Sequence, residues 1–274
     1  MNLIAAALVV CLLVPAGVAA QSPPEVPPQQ SDPDIPIDPL QPDFTLAALP
    51  TTLRMPKGKF AFRITHRFTR PLGAGNFGDL ASDAFGFDGG AQIGLELRYG
   101  LLSGTQVGVH RTSNKDIEFF GQHSFMNERD GRPIGLDGIV TIEGEDNLQE
   151  HYQSAIGAVV SRKAGKYAAL YAEPMWVANS NPDDVGDNST FLLGLGGRLR
   201  FRPSWYLVAE VTPRLAGYDP GANQISVGIE GRSGGHLFQI NFSNGFGTTL
   251  GQLAQGTLNY DDWYIGFNIS RKFF

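Results

Sequence analysis

The chain has 274 residues, a formal net charge of −6, 34 glycines and a single cysteine. This composition excludes an internal disulfide or a thiolate metal site, and without a basic patch it does not indicate nucleic-acid binding. Beyond residue 20, no apolar run reaches the about 20 residues that a membrane-spanning helix needs.

Residues 1–20 predict a secretory signal peptide. An apolar run from residue 3 ends in Val-Ala-Ala, and these small residues fit a cleavage site before Gln21. A retained membrane anchor is the alternative, and it is disfavoured because the run is short and contains Pro15. Cys11 lies within this segment, so we expect a mature chain without cysteine.

Residues 21–56 predict a linker, because they hold ten of the 18 prolines. Proline lacks an amide hydrogen and fixes φ, so neither a helix nor a sheet propagates through such a segment. We therefore expect an extended tether in the periplasm, acting as a spacer or contacting envelope partners. Its apolar part, residues 44–55, is a candidate for docking onto the folded body.

Residues 57–274 predict a β-barrel domain, because apolar and polar residues alternate in segments of about ten residues. Alternation with a period of two is typical of strands with two unlike faces. No amphipathic helix is evident, so parallel crossovers are excluded and an antiparallel meander is expected. Twelve strands are predicted, at residues 58–69, 89–99, 103–112, 115–126, 134–143, 151–162, 166–178, 189–202, 204–215, 223–232, 235–244 and 260–273.

The predicted connections alternate between short turns and longer loops. Each even-numbered strand is followed by a short turn, whereas the odd-numbered strands are mostly followed by longer loops, an asymmetry typical of outer-membrane barrels. The sequence therefore predicts an all-β fold, a closed antiparallel up-and-down transmembrane β-barrel of about 12 strands. The loops 70–88 and 245–259 are long enough to fold inward and close a pore.

Three features predict that the apolar face contacts lipid. The other face carries too many charged residues for a dry core. Aromatic residues, among them Trp205 and Tyr206, lie near strand ends, as in the girdles at membrane interfaces. The last strand ends in Phe274, which resembles the terminal aromatic signature read by the barrel-assembly machinery, although its apolar residues are in phase with Phe273.

The first four strands carry a His-Arg-Phe triplet, a Phe-x-Asp-Gly loop, a Tyr-Gly-Leu turn and an Asn-Lys pair. In these motifs the chain resembles a group of uncharacterised bacterial outer-membrane β-barrel proteins. The resemblance implies a barrel with a signal peptide in the cell envelope and implies no activity. The motif residues, candidates for structural importance, are His66, Arg67, Phe68, Asp88, Tyr99, Gly100, Asn114 and Lys115. Asp88 and the Asn-Lys pair both fall in outward loops and could meet there.

The polar face carries charged residues that we expect to line the lumen. They are Arg63, Arg67, Glu96, Arg98, Arg198, Arg200, Glu210, Arg214, Glu230 and Arg232. Two interpretations are open: the charges form a structural network of ion pairs, or an arginine-rich wall favours anionic solutes moving through the barrel.

No residue is predicted to be catalytic. The five histidines are scattered, so no metal site is expected, and no cofactor is expected either. Ser154, Ser161 and His151 are residue types that a lipid hydrolase uses, but no nucleophile motif surrounds them.

The predicted function is a passive channel, or a structural or docking barrel, in the bacterial outer membrane. The alternatives are a membrane-embedded lipid hydrolase or acyltransferase, and a soluble periplasmic ligand-binding barrel. Expected partners are outer-membrane lipid, the barrel-assembly machinery and envelope proteins that contact the linker.

Overall fold

The computed structural model describes residues 37–183 and 186–274, so the predicted signal peptide and residues 21–36 of the predicted linker lie outside it. Thirteen strands of the described residues form one sheet. They are β1 (Phe60–Phe68), β2 (Ala91–Leu102), β3 (Thr105–Thr112), β4 (Ile117–Met126), β5 (Gly135–Gly144), β6 (Glu150–Ala164), β7 (Ala168–Ala178), β8 (Ser189–Arg202), β9 (Trp205–Thr212), β10 (Arg214–Gly217), β11 (Gln224–Ser233), β12 (His236–Ser243) and β13 (Tyr264–Lys272).

The helices in these same ranges are short. The α-helices are α1 (Phe77–Ser82), α2 (Glu145–Leu148) and α3 (Leu250–Gln255), and 3-10 helices lie at Ala84–Gly86 and Glu128–Asp130. Among the described residues, no helix combines the length and the apolar character needed to cross a membrane.

The sheet closes on itself as a barrel. Adjacent strands are antiparallel, and β1 pairs with β13, with Ile64 opposite Ile269. Strands β9 and β10 both pair with β8. Because Pro213 between them supplies no amide hydrogen, they are two parts of one interrupted strand, and such a strand position in the barrel wall is here called a stave. The thirteen described strands therefore make a closed antiparallel barrel of twelve staves, and the predicted fold is confirmed.

The barrel has two different ends. At the short-turn end lie the turns after β2, β4, β6, β8 and β11. At the long-loop end lie the connections after β1, β3, β5, β7, β10 and β12. The predicted strands agree with the observed ones to within a few residues, because alternation and turn residues together define each boundary.

The apolar side chains face outward. Leu97 and Leu207 are 52% and 48% exposed, whereas Glu96 and Glu210, which precede or follow them on the same strands, are 5% and 4% exposed. A belt of exposed apolar side chains is stable against lipid and not against water. This arrangement is the reverse of a soluble ligand-binding barrel, so the predicted orientation of the two faces is confirmed.

The side chains of the last two residues point to opposite faces of the barrel wall. Phe273 stacks on Phe60 with ring centroids 4.4 Å apart. Phe274 turns inward, is 5% exposed and meets the ring of Phe44 edge-on at 6.4 Å. The C-terminal strand therefore contacts both the outer surface and the contents of the lumen.

Candidate pore and the segments that fill it

The lumen has two chemically different walls. Strands β5 to β9 contribute an apolar wall, formed by Ile139, Ala155, Val159, Ala169, Met175, Val177, Leu192 and Val208. Strands β1, β2, β12 and β13 contribute a polar wall, formed by Arg63, Thr65, Arg67, Glu96, Arg98, Gln239, Asn241, Asn268, Ser270 and Lys272. Charged groups also occur on β5 to β9, among them Glu143, Arg198 and Glu210, so anything that occupies the lumen meets charges on both sides and apolar groups mainly on one.

Residues 37–56, here called the N-terminal plug, occupy this space. Residues 40–53 are buried throughout. The centre of the plug is a tight hairpin, in which the Leu46 amide donates to the Leu49 carbonyl and the Thr51 amide to the Phe44 carbonyl, both at 2.8 Å.

This plug revises the expected tether for the described part of the linker. The prolines prevent a regular helix or strand, as expected, but they do not prevent burial when the barrel wall supplies hydrogen-bond partners. The apolar segment 44–55, a candidate for docking, lies inside the barrel. Residues 21–36 of the linker lie outside the described ranges.

Glu210 on β9 binds the tip of the hairpin. Its carboxylate accepts hydrogen bonds from the amides of Ala47 at 3.0 Å, Ala48 at 3.0 and 3.1 Å, and Leu49 at 3.1 Å. Consecutive amides converging on one anion form a concave binding site for negative charge. One wall residue thereby satisfies three buried donors of the plug.

Side chains from the barrel wall bind the plug carbonyls. The Ala47 oxygen accepts from the guanidinium groups of Arg63 and Arg67 and from the side-chain amide of Asn268. Five other carbonyls each accept one wall side chain. The pairs are Arg198 with Thr45, Gln239 with Leu46, Gln122 with Thr51, Asn127 with Thr52 and Gln106 with Leu53.

Ion pairs attach the segments before and after the plug hairpin to the barrel near the short-turn end. The Lys272 ammonium lies 2.8 Å from the Asp43 carboxylate, which also accepts the Ser270 hydroxyl at 2.7 Å. Burial alone would raise the pKa of Asp43, but the charge of Lys272 and the hydrogen bonds from Lys272 and Ser270 together outweigh it, and the pKa lies below its usual value. Further pairs join Arg54 to Asp130 at 2.7 Å and Lys163 to Asp38.

A second segment enters from the long-loop end. Residues 245–259, here called the loop plug, contain α3, whose residues Leu250, Leu253 and Ala254 are buried. These three side chains share one apolar cluster with Leu46 and Leu49 of the N-terminal plug. The two plugs therefore meet inside the barrel, against its apolar wall.

Two glutamates accept hydrogen bonds from the start of α3. The Thr249 hydroxyl donates to Glu143 at 2.7 Å, the Leu250 amide to Glu118 at 3.2 Å and the Gly251 amide to Glu143 at 3.0 Å. Glu118 and Glu143 stand opposite each other on β4 and β5. Their carboxyl oxygen atoms accept from amides that the first helical turn leaves without an intrahelical partner.

Arg214 holds the end of α3. Its guanidinium donates to the carbonyls of Gln255 at 3.0 Å and Pro220 at 2.6 Å. Gly256 follows with φ of 81°, and a Cβ there would lie 2.4 Å from the Arg214 Cζ. Arg214, predicted to line a solute path, therefore fixes the loop plug at this end of the barrel.

The other long loop stays outside the lumen. Helix α1 in the loop 70–88 is capped by Asn76 and has no buried residue. Of the two loops that were long enough to close the pore, the loop 245–259 fills the lumen.

The two plugs leave little space between them. Between the two plugs lies a cavity of about 30 Å³ lined by Ala48, Glu118 and Leu250 among others. One water molecule needs about 10–15 Å³ of such cavity volume, so this space holds no more than a few water molecules. Above the loop plug, a vestibule of about 840 Å³ opens at the long-loop end and is lined by Asp116, Glu145 and Tyr264 among others.

Most of the charged residues predicted to face the lumen are buried in it. All except Arg200 and Arg232, which are partly exposed near the short-turn end, are at most 7% exposed. Glu96 pairs with Arg98 at 2.9 Å and Arg63 at 3.4 Å, and Arg198 pairs with Glu230 at 2.6 Å.

Arg67 resembles Arg214, and differs from Arg63, Arg98 and Arg198, in its partners. It donates to neutral oxygen atoms, at 2.8 Å to the Asn268 side chain and at 3.3 Å to the Ala47 carbonyl. Its positive charge is therefore stabilised partly by the plug itself.

The Tyr-Gly-Leu motif marks the point where the plug joins the wall. The Gly58 amide donates to the Gly100 carbonyl and the Gly100 amide to the Lys59 carbonyl, at 2.8 and 2.9 Å. A Cβ on Gly100 would lie 2.0 Å from the Pro56 carbonyl oxygen, so a side chain is excluded there. Tyr99 points outward and is 46% exposed.

The other motif residues lie toward the long-loop end. His66 stacks on Phe267 at 4.7 Å and contacts Phe68 at 4.3 Å. Asp88 and Asn114 are exposed. Lys115 pairs at 2.7 Å with Asp146, rather than with Asp88 as the sequence allowed.

The residues weighed for a lipid hydrolase are separated. Ser154 is exposed, whereas Ser161 lies inside the barrel near the other end of β6. The Ser161 hydroxyl is bound by Thr52 at 2.5 Å and Gln41 at 3.3 Å, both in the plug. No group of three or more potential metal ligands occurs in residues 37–183 and 186–274.

Several residues that shape this site were not singled out from the sequence. Glu118, Glu143 and Lys272 lie on the inward face, so strict alternation along β4, β5 and β13 would have identified them. Tyr206, expected in an aromatic girdle, is fully buried in the lumen because it follows the outward Trp205. Asp43 has no such signal, since the plug has no strand periodicity.

Comparisons with known proteins agree with this geometry. A family model described as a membrane bound beta barrel domain (DUF5777) matches residues 43–273, which include most of the N-terminal plug. No curated protein matches the chain.

Solved structures share the fold at low sequence identity. An outer membrane channel from Pseudomonas putida F1 has a TM-score of 0.53 and 12% identity over 80% of this chain and 97% of that chain. The NanC porin has a TM-score of 0.51 and 7% identity over 77% of this chain and 97% of that one. The similarity of both structures is to the barrel architecture.

Proposed function

The chain belongs to the family of membrane-bound β-barrel domains, and from this premise we propose that it is a passive channel whose lumen is closed by the N-terminal plug and the loop plug. The family match also confirms the expected kinship with barrels of unestablished activity. We place the channel in the bacterial outer membrane, with the short-turn end toward the periplasm, because this asymmetry of turns and loops is typical there.

The polar wall is the observation that carries the proposal. A barrel that served only as a scaffold would be as stable with an apolar lumen, since replacing buried ion pairs by packed apolar residues is often neutral or stabilising. Here the inward face holds Arg63, Arg67, Arg98 and Lys272; three of these bind polar groups of the plug, and Arg98 lies over the ring of Phe44. Such a surface suits a lumen that fills with water when the plug leaves.

The contacts of the plug are of a kind that water can replace. Most of them join a wall side chain to a plug backbone group, and once exchange with water is counted such a bond contributes about 0.5–1.5 kcal/mol when the side chain is neutral and about 1.5–3 kcal/mol when it is charged. The similarity to the Pseudomonas putida F1 channel and the NanC porin supports a channel rather than an enzyme. We assign no catalytic role to any residue.

A disulfide that locks the plug tests the proposal. The hydroxyl oxygens of Thr52 in the plug and Ser161 in the wall are 2.5 Å apart, so Thr52→Cys/Ser161→Cys places two thiols within reach, with Cys11→Ser in the background. In planar bilayers we expect the reduced protein to show openings, the oxidised protein to be silent, and a reductant to restore the current.

The Ser161→Cys single variant serves as the control, since it cannot be locked and should conduct under both conditions. If neither form of the double variant ever conducts, the lumen is permanently filled and the barrel is a structural or docking protein instead.

A further inference from the structure

We propose that Lys272, Ser270 and Arg98 form a binding site for small aromatic carboxylates, and that Asp43 and Phe44 of the plug occupy this site as a built-in competitor. The inference rests on the proposed function, because the site becomes free only when the N-terminal plug moves. It names the solute class that the polar wall recognises.

The carboxylate half of the site is formed by Lys272 and Ser270. The Lys272 ammonium is fully buried and lies 2.8 Å from the Asp43 carboxylate, and the Ser270 hydroxyl donates to the same carboxylate at 2.7 Å. Asp43 leaves with the plug, whereas Lys272 belongs to the barrel. The freed ammonium and the Ser270 hydroxyl then offer a positive charge and hydrogen-bond donors to the lumen, and this combination suits a new carboxylate.

The aromatic half of the site surrounds the ring of Phe44. The Arg98 guanidinium lies 5.1 Å and the Lys272 ammonium 5.8 Å from the ring centroid, and Phe274 meets the ring edge-on at 6.4 Å. A cation within about 6 Å of a ring face is attracted by it. The wall therefore offers cations and an aromatic edge to a planar ring.

The register of three strands places these groups in one row. Ala61 on β1 is paired with Lys272 on one side and with Arg98 on the other. Neighbouring strands are about 4.8 Å apart, so the backbones that carry the two cations are about 10 Å apart. The small side chain of Ala61 between them leaves room for a ring, with the carboxylate directed to Lys272.

Local charge also favours an anion over a neutral ligand. Glu96 is shared between Arg98 and Arg63, so one carboxylate serves two guanidinium groups. Once Asp43 has left, Lys272 adds a further positive charge beside them.

Displacement of the plug by a solute provides the test. Leu49 is fully buried at the hairpin, so Leu49→Cys, in a Cys11→Ser background, reports exposure of the plug through its rate of labelling by a maleimide in detergent micelles. The probe is 3-phenylpropionate, and 3-phenylpropionamide is the uncharged control of the same shape. A tethered competitor acts at an effective concentration in the millimolar range, so about 10 mM probe is used.

We expect the acid to accelerate labelling by about tenfold, which is the ratio of free to tethered concentration, and the amide to leave the rate unchanged. Lys272→Met should abolish the difference between acid and amide, and Lys272→Arg should retain it. Lys272→Met also loosens the plug by leaving Asp43 unpaired. The quantity compared is therefore the ratio of the labelling rate with the acid to the labelling rate with the amide, and not the basal rate.

The inference is overturned if acid and amide act alike, or if Lys272→Met keeps the difference. A Glu210→Ala/Leu49→Cys variant, in which the hairpin has lost its main acceptor, separates this failure from failure of the proposed function. If that variant labels readily while the acid adds nothing, the plug opens and the site is wrong. If it stays unlabelled in every condition, the plug does not open and the channel proposal fails as well.

Discussion

The carboxylate of Glu210 accepts the backbone amide of Ala48 on both of its oxygen atoms, at 3.0 and 3.1 Å. Glu210 belongs to the barrel wall and is 4% exposed, and Ala48 lies at the tip of the N-terminal plug. This contact joins two parts of the chain that a sequence-based boundary assigns to different domains. It makes Glu210 the residue whose loss should free the plug most directly.

Replacing Glu210 with alanine should open the channel. The variant leaves the amides of Ala47, Ala48 and Leu49 without their acceptor, and each buried unpaired amide costs about 1–3 kcal/mol. Hydration of the released hairpin relieves this cost, so the open state becomes more populated relative to the closed state. We expect at least about a tenfold rise in open time in planar bilayers, the equivalent of about 1.4 kcal/mol.

Ser226→Ala is the matched control for that variant. Ser226 is paired with Glu210 in the sheet and faces the same lumen, but its hydroxyl donates to Ser243 in the barrel wall. It should conduct like the parent protein. Equal currents from Glu210→Ala and Ser226→Ala would show that Glu210 does not hold the plug.

A side chain at Gly100 should displace the base of the plug. A Cβ at this position would lie 2.0 Å from the Pro56 carbonyl oxygen, a backbone atom that cannot move aside alone. Gly100→Ala should therefore lower the free energy of unfolding by about 1–3 kcal/mol, as overpacking does. The shift is measured as a lower urea midpoint in the transition between folded and unfolded bands on gels of unheated samples.

Gly121→Ala supplies the control, since its Cβ would meet Val140 at 3.7 Å, an ordinary contact. If the two alanine variants unfold at the same urea concentration, the close approach of Pro56 to the wall has no energetic weight.

The wall of the barrel could be predicted from the sequence, because lipid and lumen impose opposite chemistry on alternate residues. Leu97 and Glu96 are adjacent in the chain and differ tenfold in exposure, 52% against 5%. Each inward charge on the predicted list followed from that rule. The rule also predicted closure between the first and last strands, since no edge is stable in lipid.

The contents of the lumen could not be predicted in the same way. The plug has no periodicity, and its amides and carbonyls bind side chains from strands distant in the chain, such as Glu210 and Gln122. Proline content separates this segment from the strands but does not distinguish a free tether from a buried hairpin. The family match, which begins at residue 43, carries the signal that this segment belongs with the barrel.

The outward face should reject a charge in a depth-dependent way. Leu97 lies near the middle of β2 and Leu102 at its end by the short turn, and both are about half exposed, at 52% and 54%. Leu97→Arg should cost about 2–4 kcal/mol of folding free energy in lipid vesicles, and Leu102→Arg about 0–1 kcal/mol. Equal costs at the two positions would mean that this face does not cross a bilayer.

The open channel should prefer anions, and Arg67 should contribute to that preference. When the plug leaves, Arg67 loses the Ala47 carbonyl and Lys272 loses the Asp43 carboxylate, so both positive charges face the water-filled lumen. Charges that line a pore set its ion selectivity. In the Glu210→Ala background, a KCl gradient across the bilayer should give a reversal potential that lies closer to the equilibrium potential of chloride than to that of potassium.

Adding Arg67→Gln to that background should move the reversal potential toward zero, because the amide keeps hydrogen-bonding capacity and removes the charge. Adding Arg200→Gln instead should have a smaller effect, since Arg200 is only partly buried near the short-turn end and donates to the Pro203 carbonyl. Charges exposed to bulk solution are screened over about 8–10 Å at an ionic strength of about 0.1–0.15 M. A cation preference in the parent variant, or an equal shift from the two substitutions, would place the selective charges elsewhere in the lumen.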